Sequence, residues 1–210
     1  MKVASEKEII GKLYDLNQKA VECIFLLKNA FIFNSSKSLD ECEAKTKSIL
    51  EAEKALTGEF IEDAKVDPDS RGYVSVPGYI ERMADFIEDI ACCIRTKIID
   101  GILFSDKAIA ETTFLLEKLQ DVLRNTSDII LSRNAILREY VIESAAEISR
   151  SANDFATMHE DRLIEGLCMP VASPLYLHML DAIKGIAWHG KQIAEKITTS
   201  HMPRTGIGAE

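Results

Sequence analysis

Apolar residues recur in alternating steps of four and three along almost the entire chain, and that rhythm limits the fold class more than any other feature. Ile9, Leu13, Leu16, Ala20, Cys23, Leu27 and Ala30 form the first such series. At 3.6 residues per turn this spacing gathers side chains onto one stripe of a helix, whereas a half-buried strand alternates every second residue. The series predicts a long helix ending near Asn34-Ser35-Ser36. Leu39, Cys42, Thr46, Ile49, Glu53, Leu56 and Phe60 predict a second, with Asp40 and Glu41 favouring its N-terminal end. A third, with Val76, Ile80, Met83, Ile87, Ile90 and Ile94, opens near Pro77, a residue tolerated in a first helical turn.

The beat continues in the second half. Ser105 or Asp106 is the expected cap of a fourth helix carrying Ile109, Leu116, Leu119, Leu123 and Ile130. A fifth runs from about Asn134 through Leu137, Val141, Ile148, Phe155 and Met158 to about Cys168. Beyond Pro170 and Pro174, a sixth carries Tyr176, Met179, Ile183, Ile186, Gly190, Ile193 and Ile197. Proline and glycine fall mainly between these stretches. Asp67-Pro68-Asp69-Ser70-Arg71-Gly72 reads as a loop, and the tail 201–210, with Pro203, Gly206 and Gly208, is expected to be disordered.

The third and sixth helices look like copies. Met83-Ala84-Asp85-Phe86-Ile87-Glu88-Asp89-Ile90-Ala91 aligns with Met179-Leu180-Asp181-Ala182-Ile183-Lys184-Gly185-Ile186-Ala187, giving the pattern M-x-D-x-I-x-x-I-A. Each copy has a proline just upstream, and the same shift sets Glu51 over Glu147. A shared apolar stripe explains the isoleucines and alanines but not the aspartates and prolines. The expectation is an all-α fold of six long antiparallel helices in two tandem three-helix bundles, residues 1–102 and 103–200.

Charge narrows the function classes. Lys plus Arg number 25 against 34 Asp plus Glu, a formal charge of −9, so the surface repels nucleic acid and anionic lipid. Five cysteines (Cys23, Cys42, Cys92, Cys93, Cys168) are odd in number and irregular in spacing, unlike a disulfide framework or a zinc site. Adjacent Cys92 and Cys93 point about 100° apart on a helix, so one is expected in the core and the other near the surface, both reduced. Glu6 and Glu8 stand where a signal peptide needs an apolar run, and Lys28 interrupts the most apolar stretch, Val21 to Phe33, which is too short to span a bilayer. The expected location is the cytoplasm.

The carboxylates are the candidates for chemistry. Glu81, Asp85 and Glu88 or Asp89 line one side of the third helix, where like charges three or four residues apart repel by about 0.2–0.5 kcal/mol per pair. A bound cation would reverse that sign. Glu53, on the apolar stripe of the second helix, must find a partner, reach solvent or ligate a metal. The plainer reading is a solvated acidic face partly neutralised by Arg82.

Glu81-Arg82-Met83-Ala84-Asp85, followed by Ile90-Ala91, resembles the E(D)-x-x-x-D motif of the PhoU family of phosphate-uptake regulators. The likeness spans about residues 5 to 200 and agrees with that family's two three-helix bundles. It implies a non-enzymatic regulator that works with a phosphate transporter and a membrane sensor kinase, or, in the related Pit accessory branch, with a low-affinity phosphate permease. It further implies a homodimer, peripheral to the membrane at most, with iron, zinc, magnesium or a similar metal ion held by carboxylates. The metal candidates are Glu81, Asp85, Glu88, Asp89 and Glu53, with Asp181 in the second copy. That copy departs from the motif: Leu177, Lys184 and Gly185 stand where Glu81, Glu88 and Asp89 stand in the first, and His178 is its one added donor.

The rival readings are a helical metal-storage protein and a di-iron enzyme. The enzyme needs Glu-x-x-His on two helices, and none of His159, His178, His189 and His201 has a glutamate three residues before it. No GxGxxG, P-loop or G-x-S-x-G element occurs, and no phosphate-binding motif, so tight phosphate binding is not expected. Trp188 is expected to pack at a domain boundary, and Phe25, Phe31 and Phe33 to serve as core or dimer contact.

Overall fold

The computed structural model describes residues 6–66 and 73–199. The loop expected at 67–72 and the tail expected at 201–210 lie outside them. The described residues form six helices and no strand: α1 Glu6–Phe33, α2 Ser36–Val66, α3 Val76–Ile99, α4 Asp106–Ser132, α5 Ala135–Ile164 and α6 Ser173–Thr199.

Local chemistry sets the boundaries. The Ser105 hydroxyl accepts a hydrogen bond from the Ala108 amide, and the Asn134 side chain accepts from the amides of Ile136 and Leu137. Each satisfies donors that a helix start leaves without partners. α2 begins earlier than the acidic pair Asp40-Glu41 suggests. The Ser35 hydroxyl accepts from the Ser38 amide, so capping rather than the helix dipole fixes that end, and the acids fall beyond the first turn. α5 stops at Ile164, short of Cys168, where Gly166 adopts a φ of +71°.

The predicted stripes are the core. All the named apolar positions of α1, α2, α3 and α6 are buried, and the interior is one continuous cluster. Two groups depart. Met158 of α5 is 38 % exposed, within the last two turns of its helix. Of the three phenylalanines, Phe31 is buried edge-on to Phe104, but Phe25 and Phe33 face solvent, at 47 % and 73 % exposed.

Cross-helix contacts give the topology. Lys12 pairs with Glu59 and Lys45 with Glu22, so α1 and α2 run antiparallel. Arg95 meets Asp40 and Glu43 across α2 and α3, and α1, α2 and α3 pack on one another. α4, α5 and α6 do the same, with Lys118 on Glu147 and Lys184 on Asn153. The two sets meet through α1 against α4 and α3 against α6. Buried Asn17 ties the first pair by donating to the Leu123 carbonyl at 2.8 Å and to Ser127 at 2.7 Å.

In cross-section α1, α3, α6 and α4 therefore form a square, with α2 wedged outside α1 and α3 and α5 outside α4 and α6. One broad side of the molecule is the row α2, α3, α6, α5. That side carries the motif residues.

Candidate functional face

The α3 carboxylates stand along this side, between the α2–α3 groove and the α3–α6 seam. Glu81, Asp85 and Asp89 are partly exposed and Glu88 is exposed. Arg82 reaches Asp85 at 3.4 Å along the helix, and His178 of α6 lies 3.8 Å from Asp89 across the seam. Partial desolvation, then the charges of Asp85, Asp89 and Glu43, push the Glu88 carboxyl above its ordinary range.

The remaining metal candidates are elsewhere. Glu53 is buried at 5 % exposure and accepts a hydrogen bond from Thr57 one turn along α2, which gives it the partner its position demanded. Asp181 is exposed on α6 and pairs with Lys184 at 2.7 Å. Among the described residues, no three His, Cys, Asp or Glu side chains converge closely enough to hold a metal ion. The six predicted ligands are thus a graded acidic row of four on α3 with two outliers, Glu53 and Asp181.

Applying the 96-residue shift of Met83 to Met179 to the rest of this side reveals a relation between two grooves. The α2–α3 groove, of about 430 Å³, is lined by Glu43, Lys47, Leu50, Glu88, Cys92 and Arg95. The α5–α6 groove, of about 480 Å³, is lined by Ala145, Ala146, Lys184, Gly185, Trp188 and Lys191. Positions 50 and 146, 88 and 184, 92 and 188, and 95 and 191 coincide under the shift. The same groove occurs twice, and its chemistry changes between copies: Glu88 becomes Lys184, Leu50 becomes Ala146 and Cys92 becomes Trp188.

The seam between the grooves is aromatic. Tyr79 and Phe86 of α3 flank His189 of α6, and Trp188 sits edge-on to both Tyr79 and His189. Burial, then the Arg82 charge, lowers the His189 pKa, with Asp85 opposing. Trp188 thus lies at the boundary between the two helix sets, as expected, but it is half exposed. Cys93 is buried and Cys92 exposed, as the helical period required.

Two features escaped the sequence. Glu111, on the buried side of α4, takes both arms of Arg162 at 3.0 and 2.8 Å and the Tyr176 hydroxyl at 2.5 Å. Burial and this carboxylate push the Tyr176 phenol far above its ordinary range, so it stays a donor. The available signal was Tyr176 itself, a polar tip on an otherwise apolar stripe. The other is the basic groove, foreshadowed by Lys184, Trp188 and Lys191 at helical spacing.

No family model and no curated protein matches the sequence. Solved structures do. PhoU from Pseudomonas aeruginosa superimposes with a TM-score of 0.81 at 14 % identity, over 91 % of this chain and 94 % of that one. A PhoU-like phosphate regulatory protein from Shewanella oneidensis MR-1 gives 0.56, also at 14 % identity, over 95 % and 98 %. No helix among the described residues is long and apolar enough to cross a membrane. The likeness extends over both helix sets rather than one, and the chain has the fold of PhoU.

Proposed function

We propose that this protein is a non-enzymatic, PhoU-like regulator of phosphate transport or phosphate signalling that acts by docking onto other proteins. The observation that carries the reading is the full-length likeness to PhoU combined with the Glu81-to-Ala91 motif on the broad α2–α3–α6–α5 side. The first set retains the acidic row and the second does not, as a tandem duplication with later divergence would leave them. The protein works in the cytoplasm as a homodimer, and its partners are a phosphate transporter or the sensor kinase that reads it.

Chemically, this side offers charge and shape rather than a reaction centre. Rim carboxylates and lysines select partners and speed encounter, while the grooves supply apolar contact. Affinity purification of the intact chain from phosphate-replete and phosphate-starved cells, with cross-linking, tests the role. Recovery of a phosphate permease or its kinase through this side supports it, and its consistent absence in both conditions contradicts it. Metal analysis of the same preparation separates the storage reading: as the carboxylates are placed, less than one equivalent per chain is expected. Stoichiometric metal lost in Glu81→Ala/Asp85→Ala would establish storage or sensing instead.

A further inference from the structure

The α5–α6 groove has features that its counterpart lacks. Its lining includes the small residues Ala145 and Ala146, so a backbone can approach closely there. Trp188 stands half exposed beside that floor, with a large ring that finds no full cover within the chain. Lys184 and Lys191 stand one turn to either side of Trp188 on the same stripe of α6.

Their directions matter. Lys184 leans toward Asp181 at 2.7 Å and Asn153 at 3.0 Å, while Lys191 leans the other way, toward Glu195 at 3.8 Å. Seven residues of helix separate their backbones by about 10 Å, and the side chains diverge further. One tetrahedral anion cannot bridge them. Two carboxylates seven residues apart on another helix have the same spacing, with one apolar residue between them to cover Trp188. The present ion pairs of the two lysines lie along α6 on partly exposed partners, and Lys184 adds one hydrogen bond to Asn153 of α5; such pairs hold weakly, so both lysines can be recruited.

We infer that the α5–α6 groove is the docking site for an amphipathic helix of a partner protein, with acidic residues seven apart engaging Lys184 and Lys191 and an apolar residue between them covering Trp188. This is helix-in-groove recognition with charge selection at the rim. The first set, with Glu88 where Lys184 stands, does not accept the same helix. The inference deepens the proposed docking role but does not require the partner to belong to phosphate transport.

Trp188 is the only tryptophan in the chain, so its fluorescence reports on this groove alone. The test uses the full chain and a display library of amphipathic helical peptides. Two rim positions seven apart are randomised over Glu, Lys, Gln and Ala, and the position between them over apolar residues. Selection is expected to enrich Glu at both rim positions, and the enriched peptides should shift Trp188 emission to the blue with saturation. Lys184→Glu/Lys191→Glu, at partly exposed rim positions and checked for unchanged helicity and unfolding temperature, should weaken those peptides by about tenfold or more and turn the preference to Lys.

Enrichment without charge preference, or equal binding to the double variant, overturns the inference. So does Trp188 emission that depends on protein concentration alone, which would make a second copy of this chain the occupant. A blue shift produced by inorganic phosphate alone would make the groove a small-anion site, and overturns it too. Because the library contains no phosphate-transport component, failure here leaves the regulatory reading to its own experiment.

Discussion

Single side chains decide how rigidly the helices of each set are held, and in the second set Glu111 of α4 joins Arg162 of α5 to Tyr176 of α6. Its carboxylate is almost completely buried, and Arg162 and the Tyr176 hydroxyl both depend on it. Breaking a buried pair by removing one partner leaves the other charge without compensation, a loss of about 3–5 kcal/mol. Glu111→Ala is expected to lower urea-unfolding stability by that order, whereas Glu81→Ala, on the solvated row, should stay within about 0.5 kcal/mol of wild type. Two histidines give the fold a pH dependence. Burial, reinforced at His159 by Arg162, lowers the pKa values of His159 and His189 below their ordinary 6.5. The unfolded chain then takes up protons that the folded chain refuses. Their contribution is fully present above about pH 6.5 and is lost as pH falls toward and through the lowered folded values. Unfolding free energy should decline in that window, and His189→Phe, which keeps a ring among Tyr79, Phe86 and Trp188, should flatten the decline.

At the level of helices, the seam between α3 and α6 is the critical joint, and Gly185 shows why. A Cβ at that position would come within 2.5 Å of the Phe86 ring, closer than packing permits. Sequence comparison alone presents Gly185 as a lost acid, because it aligns with Asp89. The structure gives it a positive role: the missing side chain admits Phe86 between the helices. Gly185→Ala sets a helix-propensity gain of about 1 kcal/mol against overpacking of about 1–3 kcal/mol, for a net loss of up to about 2 kcal/mol. Thermal unfolding of that variant, with Phe86→Leu as the relieving partner, checks the sign. The second change should restore part of the loss. The same joint marks where sequence reading succeeds and stops. Helix stripes were legible because burial imposes a 3.6-residue period on every core position, as from Ile80 to Ile94. Glu53 was legible as an anomaly, but its partner Thr57 was not singled out. The association of Asp89 with His178 and of Phe86 with Gly185 depends on how α3 lies against α6, and no local pattern encodes that.

Taken whole, the molecule is two similar helix triplets joined so that equivalent grooves open on one side with different chemistry. The repeated pattern was readable from Met83 to Ala91 against Met179 to Ala187. Its functional meaning was not, because the groove residues at 50 and 146 and at 92 and 188 do not match one another and gain significance only when their positions coincide in space. A regulator built this way can present an acidic surface and a basic aromatic one to different partners at once. The most direct measurement of the central claim is phosphate uptake in the organism of origin, comparing the wild type with a strain lacking this protein under phosphate-replete conditions. The account predicts that uptake or its transcriptional control no longer follows external phosphate in the deletion strain, and that the wild-type gene restores the response. Phosphate uptake and signalling that remain identical with and without the protein, at high and low phosphate, would contradict it.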